Sequence, residues 1–326
     1  MPIWLTDLIE KVPAEVEGRV KRVRDQTRAA IQEALRAECR LVLRNADETE
    51  VKGRGSQVPV DIKPGYPAIL KDIQFSDDLE LVILLGRYRT VLEKANTGVD
   101  GLKRLRDELR LRTALIDHIR ITDEELQSTA NWATYLIQIL NKSDPLKRIL
   151  AVKEDILGVY RYRTNPTFDD EHTINWAKIT LFWMVIGLVA EWMGVPLEDL
   201  TIVVLTHELA HAYTQLGADI EGRRWPASVF AASESALVEG LAQYYTERVL
   251  KRLQRRFGSA LKVYKAMLPK QPGIYSTHLP WVENTSPEAV RRAMLEMRRW
   301  KQGSLEEFNK RLVDAHMGLH PEGHHS

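Results

Sequence analysis

The pentapeptide HELAH at residues 207–211 constrains the fold of this chain more than any other stretch. Its two histidines are four residues apart, so on an α-helix they project from the same face and can bind one metal ion. The apolar spacing that begins at Leu200 continues through the motif, which predicts a helix over residues 196–216 with its functional face turned inward. Pro196 favours the start of this helix, and Gly217 favours its end.

A buried Glu208 between the two histidines needs a positive partner. Burying its charge without one would cost several kcal/mol, and a divalent cation would remove that cost. We therefore predict one zinc ion per chain, with His207 and His211 as ligands. Without further residues, the motif is also compatible with two hydrogen-bonded core histidines.

A catalytic zinc site has three protein ligands and one open position. The extended HExxHxxGxxH pattern, which would supply a third histidine, is absent. Residues 233–253 read as a second helix with Ser233 as its N-cap, and Glu239 lies near the edge of its inner face. Glu239 is the leading candidate for the third ligand, and Glu234 and Asp219 are the alternatives.

HELAH followed 28 residues later by EGLAQYY resembles the gluzincins, the thermolysin-like zinc peptidases. The resemblance covers roughly residues 155–250. It implies that Glu239 completes a His-His-Glu zinc site and that Glu208 is the general base acting on a zinc-bound water. It also implies that the reaction is hydrolysis of peptide bonds. The chain departs from the pattern at Gln243, where some members carry an aspartate that orients a zinc histidine.

Residues 273–281 form a segment bounded by glycine and proline that carries Tyr275 and His278. Zinc peptidases often use such a side chain to stabilise the oxyanion that forms at the attacked carbonyl. We predict His278 first and Tyr275 second for this role, although the segment is equally compatible with a purely structural one. Other candidates are Tyr213, Tyr244 and Tyr264.

The chain divides into three predicted regions. Residues 1–143 read as a helical N-terminal region, and a loop or short hairpin is expected at 45–67. Residues 144–317 are expected to form a zincin-like metallopeptidase domain, and residues 318–326 a flexible tail. A heptad-like seam of small side chains over residues 16–41 favours packing against a helix of the same chain over a free-standing coiled coil, and contact of the N-terminal helices with a partner is the alternative.

Further elements follow from periodicity and capping signals. Helices are predicted over residues 77–94, 99–119 and 122–140, the last with a capping box, and from Pro287 and Leu305 near the end. Strands are predicted over residues 156–163 and 174–182. An exposed edge of such a small sheet could bind an extended peptide by strand addition.

Composition limits the class of protein. The chain has 46 basic and 45 acidic residues, so its charge gives no strong case for nucleic-acid binding. The single Cys39 excludes a framework of intrachain disulfides. The longest apolar stretch, residues 179–190, is too short to cross a bilayer of about 30 Å. Residues 1–11 lack the pattern of a secretion signal, so we expect a cytoplasmic protein.

The sequence therefore predicts a mainly helical α+β protein, with a zincin-like domain and small sheet preceded by a helical N-terminal region. The expected activity is that of a zinc metallopeptidase acting on a peptide or protein substrate. Two alternatives remain at this point. One is a zincin-fold regulatory or binding protein with little or no cleavage, and the other is a different zinc hydrolase such as an amidase.

Overall fold

The computed structural model describes residues 3–43, 58–75, 79, 82–83, 86, 88–112, 122–152, 156–164 and 174–319. The helices are α1 (Leu5–Glu10), α2 (Glu15–Cys39), α3 (Arg89–Thr97), α4 (Val99–Arg112), α5 (Asp123–Ser143), α6 (Pro145–Leu150), α7 (Trp183–Met193), α8 (Leu197–Leu216), α9 (Ala227–Ala232), α10 (Ser235–Arg252), α11 (Ala260–Met267), α12 (Leu279–Asn284), α13 (Pro287–Arg299) and α14 (Leu305–Leu319). The strands are β1 (Ile3–Trp4), β2 (Val42–Leu43), β3 (Val60–Lys63), β4 (Gln74–Phe75), β5 (Gly158–Thr164), β6 (Ile174–Phe182) and β7 (Gly217–Ala218).

The protein is mainly helical with small sheets, which confirms the coarse α+β prediction. The largest described sheet has the strand order β3-β6-β5. Strand β6 is its centre, pairing parallel with β3 and antiparallel with β5. Strand β5 therefore lies at one edge of this sheet in the described part of the chain.

Helix α8, which carries the HELAH motif, is the centre of the molecule. It contacts α2, α7, α10 and α11, as well as strands β5 and β6. Apart from Glu198, its residues are buried on every side. The motif faces the interior as predicted, and burial extends beyond the predicted stripe to the other faces of the helix. Its bounds agree closely with the predicted 196–216.

Helix α2 packs against α8, so the N-terminal helix does pack within the chain. Ala30 of the predicted seam is half-buried and Ala37 is exposed, whereas Ile31 and Leu35 beside the seam are buried. The buried members of the seam are Val16, Val20, Val23, Thr27, Ala34 and Leu41. An α-helix has 3.6 residues per turn, so a buried face drifts away from a strict seven-residue repeat. The N-terminal and later elements share one hydrophobic core. The boundary expected at residue 143 stays a prediction.

Several local predictions can be compared directly with the structure. The capping box at Thr122 is present, and Ser286 caps α13. The second motif helix begins at Ser235, and the predicted cap Ser233 was wrong, since its hydroxyl donates to the Val229 carbonyl at the end of α9. Within the expected loop at 45–67, β3 is a strand of the central sheet.

Other predictions lie partly or wholly outside the described residues. These are the first part of the 77–94 helix, the end of the 99–119 helix, much of the 45–67 loop, and residues 320–326. In the part of the chain that the structure describes, no helix is both long and apolar enough to cross a membrane.

Candidate metal centre

Three side chains converge where α8 and α10 pack together. The Nε2 atoms of His207 and His211 lie 3.1 Å apart. The Oε2 atom of Glu239 is 3.2 Å from the first and 3.4 Å from the second. Two imidazoles and a carboxylate thus present one donor atom each to a common point, and this group could hold a metal ion.

The two helices fix these side chains in different ways. His207 and His211 are one turn apart on the enclosed helix α8, so both rings project to the same side. Glu239 comes from α10, where its neighbour Gly240 admits close packing. A β-carbon at residue 240 would lie 2.7 Å from the Trp281 ring, so only glycine fits there without displacement. The ligand set therefore depends on tight packing of α10 against the segment that follows α11.

The electrostatics favour an ionised Glu239. Burial alone would raise the pKa of this carboxyl, but the charge of His211 and hydrogen bonds from both imidazoles outweigh burial and lower it. The carboxylate is thus held in the form that binds cations. Its side chain is only 14% exposed, which limits the competition from bulk water.

Glu208 is 1% exposed and lies beside the histidines on α8. It borders a small cavity of about 40 Å³ that His207 also lines. A cavity of this size can hold a water molecule. Much of the remaining wall is apolar and includes Val204, Leu157 and Met267. Glu208 therefore borders a small, largely apolar cavity in which a water molecule fits.

Strand β5 passes directly over the motif helix. A β-carbon at Gly158 would lie 2.8 Å from Glu208 Oε1, so the absence of a side chain lets the strand approach the carboxylate. Two residues further along, the Tyr160 ring lies nearly parallel to the His211 ring, with centroids 6.5 Å apart. Alternate residues of β5 thus face successive turns of α8, and the edge strand borders the metal centre.

The structure brings Tyr275 to this cavity. Its side chain is 4% exposed, it lines the cavity with His207 and Glu208, and its ring centroid is 6.0 Å from that of His207. His278 is buried as well, but it does not line the cavity. Its ring contacts Tyr264, Glu247 and the Tyr275 carbonyl instead.

The other sequence candidates, Glu234 and Asp219 for the third ligand and Tyr213 and Tyr244 for the oxyanion partner, lie outside the group of three donors. Glu234 is exposed at the start of α10, and Asp219 accepts hydrogen bonds from the backbone of Glu221 and Arg223. Neither joins the two histidines. The Tyr213 hydroxyl donates to the Gln32 carbonyl of α2. Burial raises the pKa of Tyr244 to about 12.

Sequence reasoning missed two residues around this centre. Gly158 stands at the start of a strand, and its close approach to Glu208 and Val204 explains why a glycine is found there. Glu247 lies on the same face of α10 as Glu239, eight residues further on, and that spacing was a usable signal. Gln243, between them, also lines the cavity.

The comparisons with known proteins found no match, whether with a protein-family model, a curated protein or a solved structure.

Proposed function

We propose that this protein is a zinc-dependent peptidase, with His207, His211 and Glu239 as the metal ligands and Glu208 as the general base. The observation that carries the proposal is the convergence of donor atoms from His207, His211 and Glu239, next to a cavity that Glu208 lines together with His207. Three protein ligands with one open position are typical of catalytic zinc sites.

The donor distances support zinc as the metal. In tetrahedral coordination with metal–ligand distances of about 2.0–2.1 Å, the ligand atoms lie about 3.3 Å apart. The three separations here are 3.1, 3.2 and 3.4 Å. Imidazole nitrogens also argue against calcium and magnesium, which prefer oxygen ligands. A cation between the three atoms would satisfy both histidines and the carboxylate at once.

The chain's own residues account for the remaining chemistry. When bound, zinc would polarise the substrate carbonyl and lower the pKa of a water molecule towards about 7. Glu208 takes the proton of the water that attacks the carbonyl carbon, and it passes this proton to the amine nitrogen as the C–N bond breaks. Tyr275 donates its hydroxyl proton in a hydrogen bond to the carbonyl oxygen as that oxygen gains negative charge.

Strand β5 supports a peptide as the substrate. It pairs with β6 on one side and borders the catalytic carboxylate through Gly158. An extended peptide added to its other side would run along the metal centre, and main-chain hydrogen bonds would hold it in register. Recognition of this kind requires a backbone, which favours a peptidase over an amidase acting on small molecules.

The test compares the wild type with Glu208→Gln and with Glu234→Gln, a control that alters an exposed glutamate outside the cavity. We expect about one zinc per chain in all three proteins. Glu208→Gln should cleave a peptide library about 10²- to 10⁴-fold more slowly, because an amide cannot accept the proton. Cleavage by Glu208→Gln at the wild-type rate would overturn the mechanism. Metal-loaded wild type that cleaves no peptide would favour the binding-protein alternative.

A further inference from the structure

A second buried polar group lies next to the metal centre, built around His278. This side chain is fully buried. Its Nε2 atom lies 2.8 Å from the Tyr264 hydroxyl and 3.3 Å from Glu247 Oε2. Its Nδ1 atom lies 3.1 Å from the carbonyl oxygen of Tyr275. A histidine enclosed in this way cannot reach a substrate, so its function must act through the residues it contacts.

The protons of this group can be assigned from its acceptors. A carbonyl oxygen can only accept, so Nδ1 of His278 carries a proton and donates it to Tyr275. The Tyr264 hydroxyl lies 3.4 Å from the Gln243 carbonyl, to which it can donate while accepting from Nε2. Glu247 faces the same nitrogen as a carboxylate. The hydrogen bond from His278 is the largest cause that lowers the pKa of Glu247 to about 2.

The group links the metal ligand to the cavity wall through one rigid helix. Glu239 and Glu247 are eight residues apart on α10, so they lie on the same face, two turns from each other. Glu239 reaches the histidines at one end. At the other end, Glu247 Oε2 contacts His278 Nε2. The Nδ1 atom of His278 donates a hydrogen bond to the Tyr275 carbonyl, which belongs to the 3₁₀ turn Gly273–Ser276. The position of the Tyr275 ring is thereby tied to that of the ligand.

We propose that Glu247, His278 and Tyr264 form a positioning device that fixes Tyr275 beside His207 and Glu208. This inference rests on the proposed function, because it assumes that the Tyr275 hydroxyl acts on the substrate. It gives His278 a different role from the one expected from its sequence context. His278 is a positioning residue, and Tyr275 is the group that touches the reacting atoms.

A double-mutant cycle on zinc-loaded protein tests the device. Tyr275→Phe should lower kcat by about 10²-fold, the usual effect of losing an oxyanion donor. His278→Ala should lower kcat about tenfold with little change in KM, because a misplaced donor weakens only the transition state. In the Tyr275→Phe background, His278→Ala should change kcat by less than about twofold. Equal losses in both backgrounds would overturn the proposal, since His278 would then act independently of Tyr275.

Conservative variants keep the test informative if His278→Ala folds poorly. Glu247→Gln preserves the shape of the side chain and should reproduce part of the His278→Ala loss. His278→Asn places an amide N–H near the Nδ1 position and should restore part of it. Arg252→Ala is the matched control, because it removes an ion pair of α10 with Glu38 but touches none of these residues. A loss of kcat in the control as large as that in Glu247→Gln would overturn the specific role.

Hydrogen exchange separates failure of this inference from failure of the proposed function. Backbone amides of residues 273–278 should exchange at least about tenfold faster in His278→Ala and Glu247→Gln than in the wild type, with or without zinc. Unchanged exchange would overturn the positioning device even if the enzyme is active. If exchange rises as expected but Glu208→Gln is as active as the wild type, the proposed function fails, and with it the catalytic role of Tyr275.

Discussion

At the scale of single residues, burial determines what each side chain of the metal centre can do. His207, Glu208 and His211 are all less than a tenth exposed, on a helix whose other residues apart from Glu198 are buried as well. Charged groups in such surroundings are stable only when another charge or a set of hydrogen bonds compensates them. A cation bound by His207, His211 and Glu239 would provide that compensation, which is why the motif and its burial have to be considered together.

The ligand role of Glu239 can be tested against a neighbour on the same segment. Glu239→Ala removes one donor and should weaken zinc binding by about 100-fold or more, since even residues that merely orient ligands are worth about 10- to 100-fold. Glu234→Ala alters an exposed glutamate and should bind zinc as the wild type does. Competition with a chromogenic chelator measures both affinities. Equal affinity in Glu239→Ala and the wild type would remove Glu239 from the site.

Gly158→Ala probes the contact between β5 and the proposed base. The added methyl group would lie 2.8 Å from Glu208 Oε1 and 2.9 Å from a Val204 methyl carbon. Either the strand or the carboxylate must move, which we expect to cost about 1–3 kcal/mol of stability and at least about tenfold in kcat.

The control for this prediction is Gly18→Ala on α2, where a methyl group would meet nothing within 4 Å. It should stabilise the helix by up to about 1 kcal/mol and leave kcat unchanged. Urea unfolding and steady-state kinetics measure both variants. Wild-type stability and kcat in Gly158→Ala would show that the strand does not hold Glu208 in place.

At the scale of helices and strands, periodicity and capping predicted most of what the structure contains. The bounds of α8 and β6 agree with the predictions within a residue, and Thr122 starts α5 as expected. These features depend on neighbours in sequence, so sequence alone determines them. The parallel pairing of β3 with β6 and the packing of α2 against α8 join residues more than a hundred positions apart, and no local pattern records such contacts.

The candidate site shows the same division. His207, His211 and Glu239 were predicted because helical spacing and a resemblance to a known motif both point to them. The buried group around His278 was not predicted, because it joins side chains from α10, α11 and the following turn. Each of these residues alone has an ordinary sequence context. Only the folded structure shows that His278 contacts Tyr264 and Glu247 and does not line the cavity.

The link between α10 and the Tyr275 turn predicts an acid dependence of stability. The pKa of Glu247 is lowered to about 2 from an ordinary value of 4.5, mainly by the hydrogen bond from His278 and further by Lys251 on the same helix. Its contribution to folding is thus complete above about pH 4.5 and is lost as the pH falls towards 2. Tyr264 and His278 are the other titratable groups that face it.

Glu247→Gln cannot titrate at this position. The difference in unfolding free energy between wild type and Glu247→Gln should therefore be largest at pH 6 and should shrink steadily between pH 5 and pH 2.5. Urea unfolding of the metal-free proteins at several pH values measures it, and Arg252→Ala serves as the control. A difference that stays constant over this range would contradict the assignment of the shifted carboxyl to Glu247.

At the scale of the whole molecule, the N-terminal elements pack around helix α8. Helix α2 packs along α8, and the Tyr213 hydroxyl of α8 donates to the Gln32 carbonyl of α2 over 3.0 Å. Strand β2 pairs with β7, directly after the motif helix, and β3 pairs with β6. These N-terminal elements thus share one hydrophobic core with α8.

A fragment of residues 144–319 should consequently fail to fold by itself. Without α2 and β3, the fragment exposes one side of α8 and one edge of the central sheet, and each buried aliphatic side chain that becomes exposed costs about 1.5–3 kcal/mol. When several such side chains become exposed, the summed cost exceeds the net free energy of unfolding of an ordinary domain, which is about 5–15 kcal/mol. The fragment should show no cooperative unfolding transition and should bind less than one zinc per chain.

Co-expression with residues 1–143 should restore both properties, because the missing contacts are non-covalent and the two pieces can associate through the same core. A chain of residues 1–319 is the control for truncation as such, and it should behave as the full-length protein does. Circular dichroism during thermal unfolding and metal analysis of the purified species distinguish the outcomes. A cooperative transition and one bound zinc in the isolated 144–319 fragment would show instead that the catalytic part folds independently and that the boundary near residue 143 separates true domains.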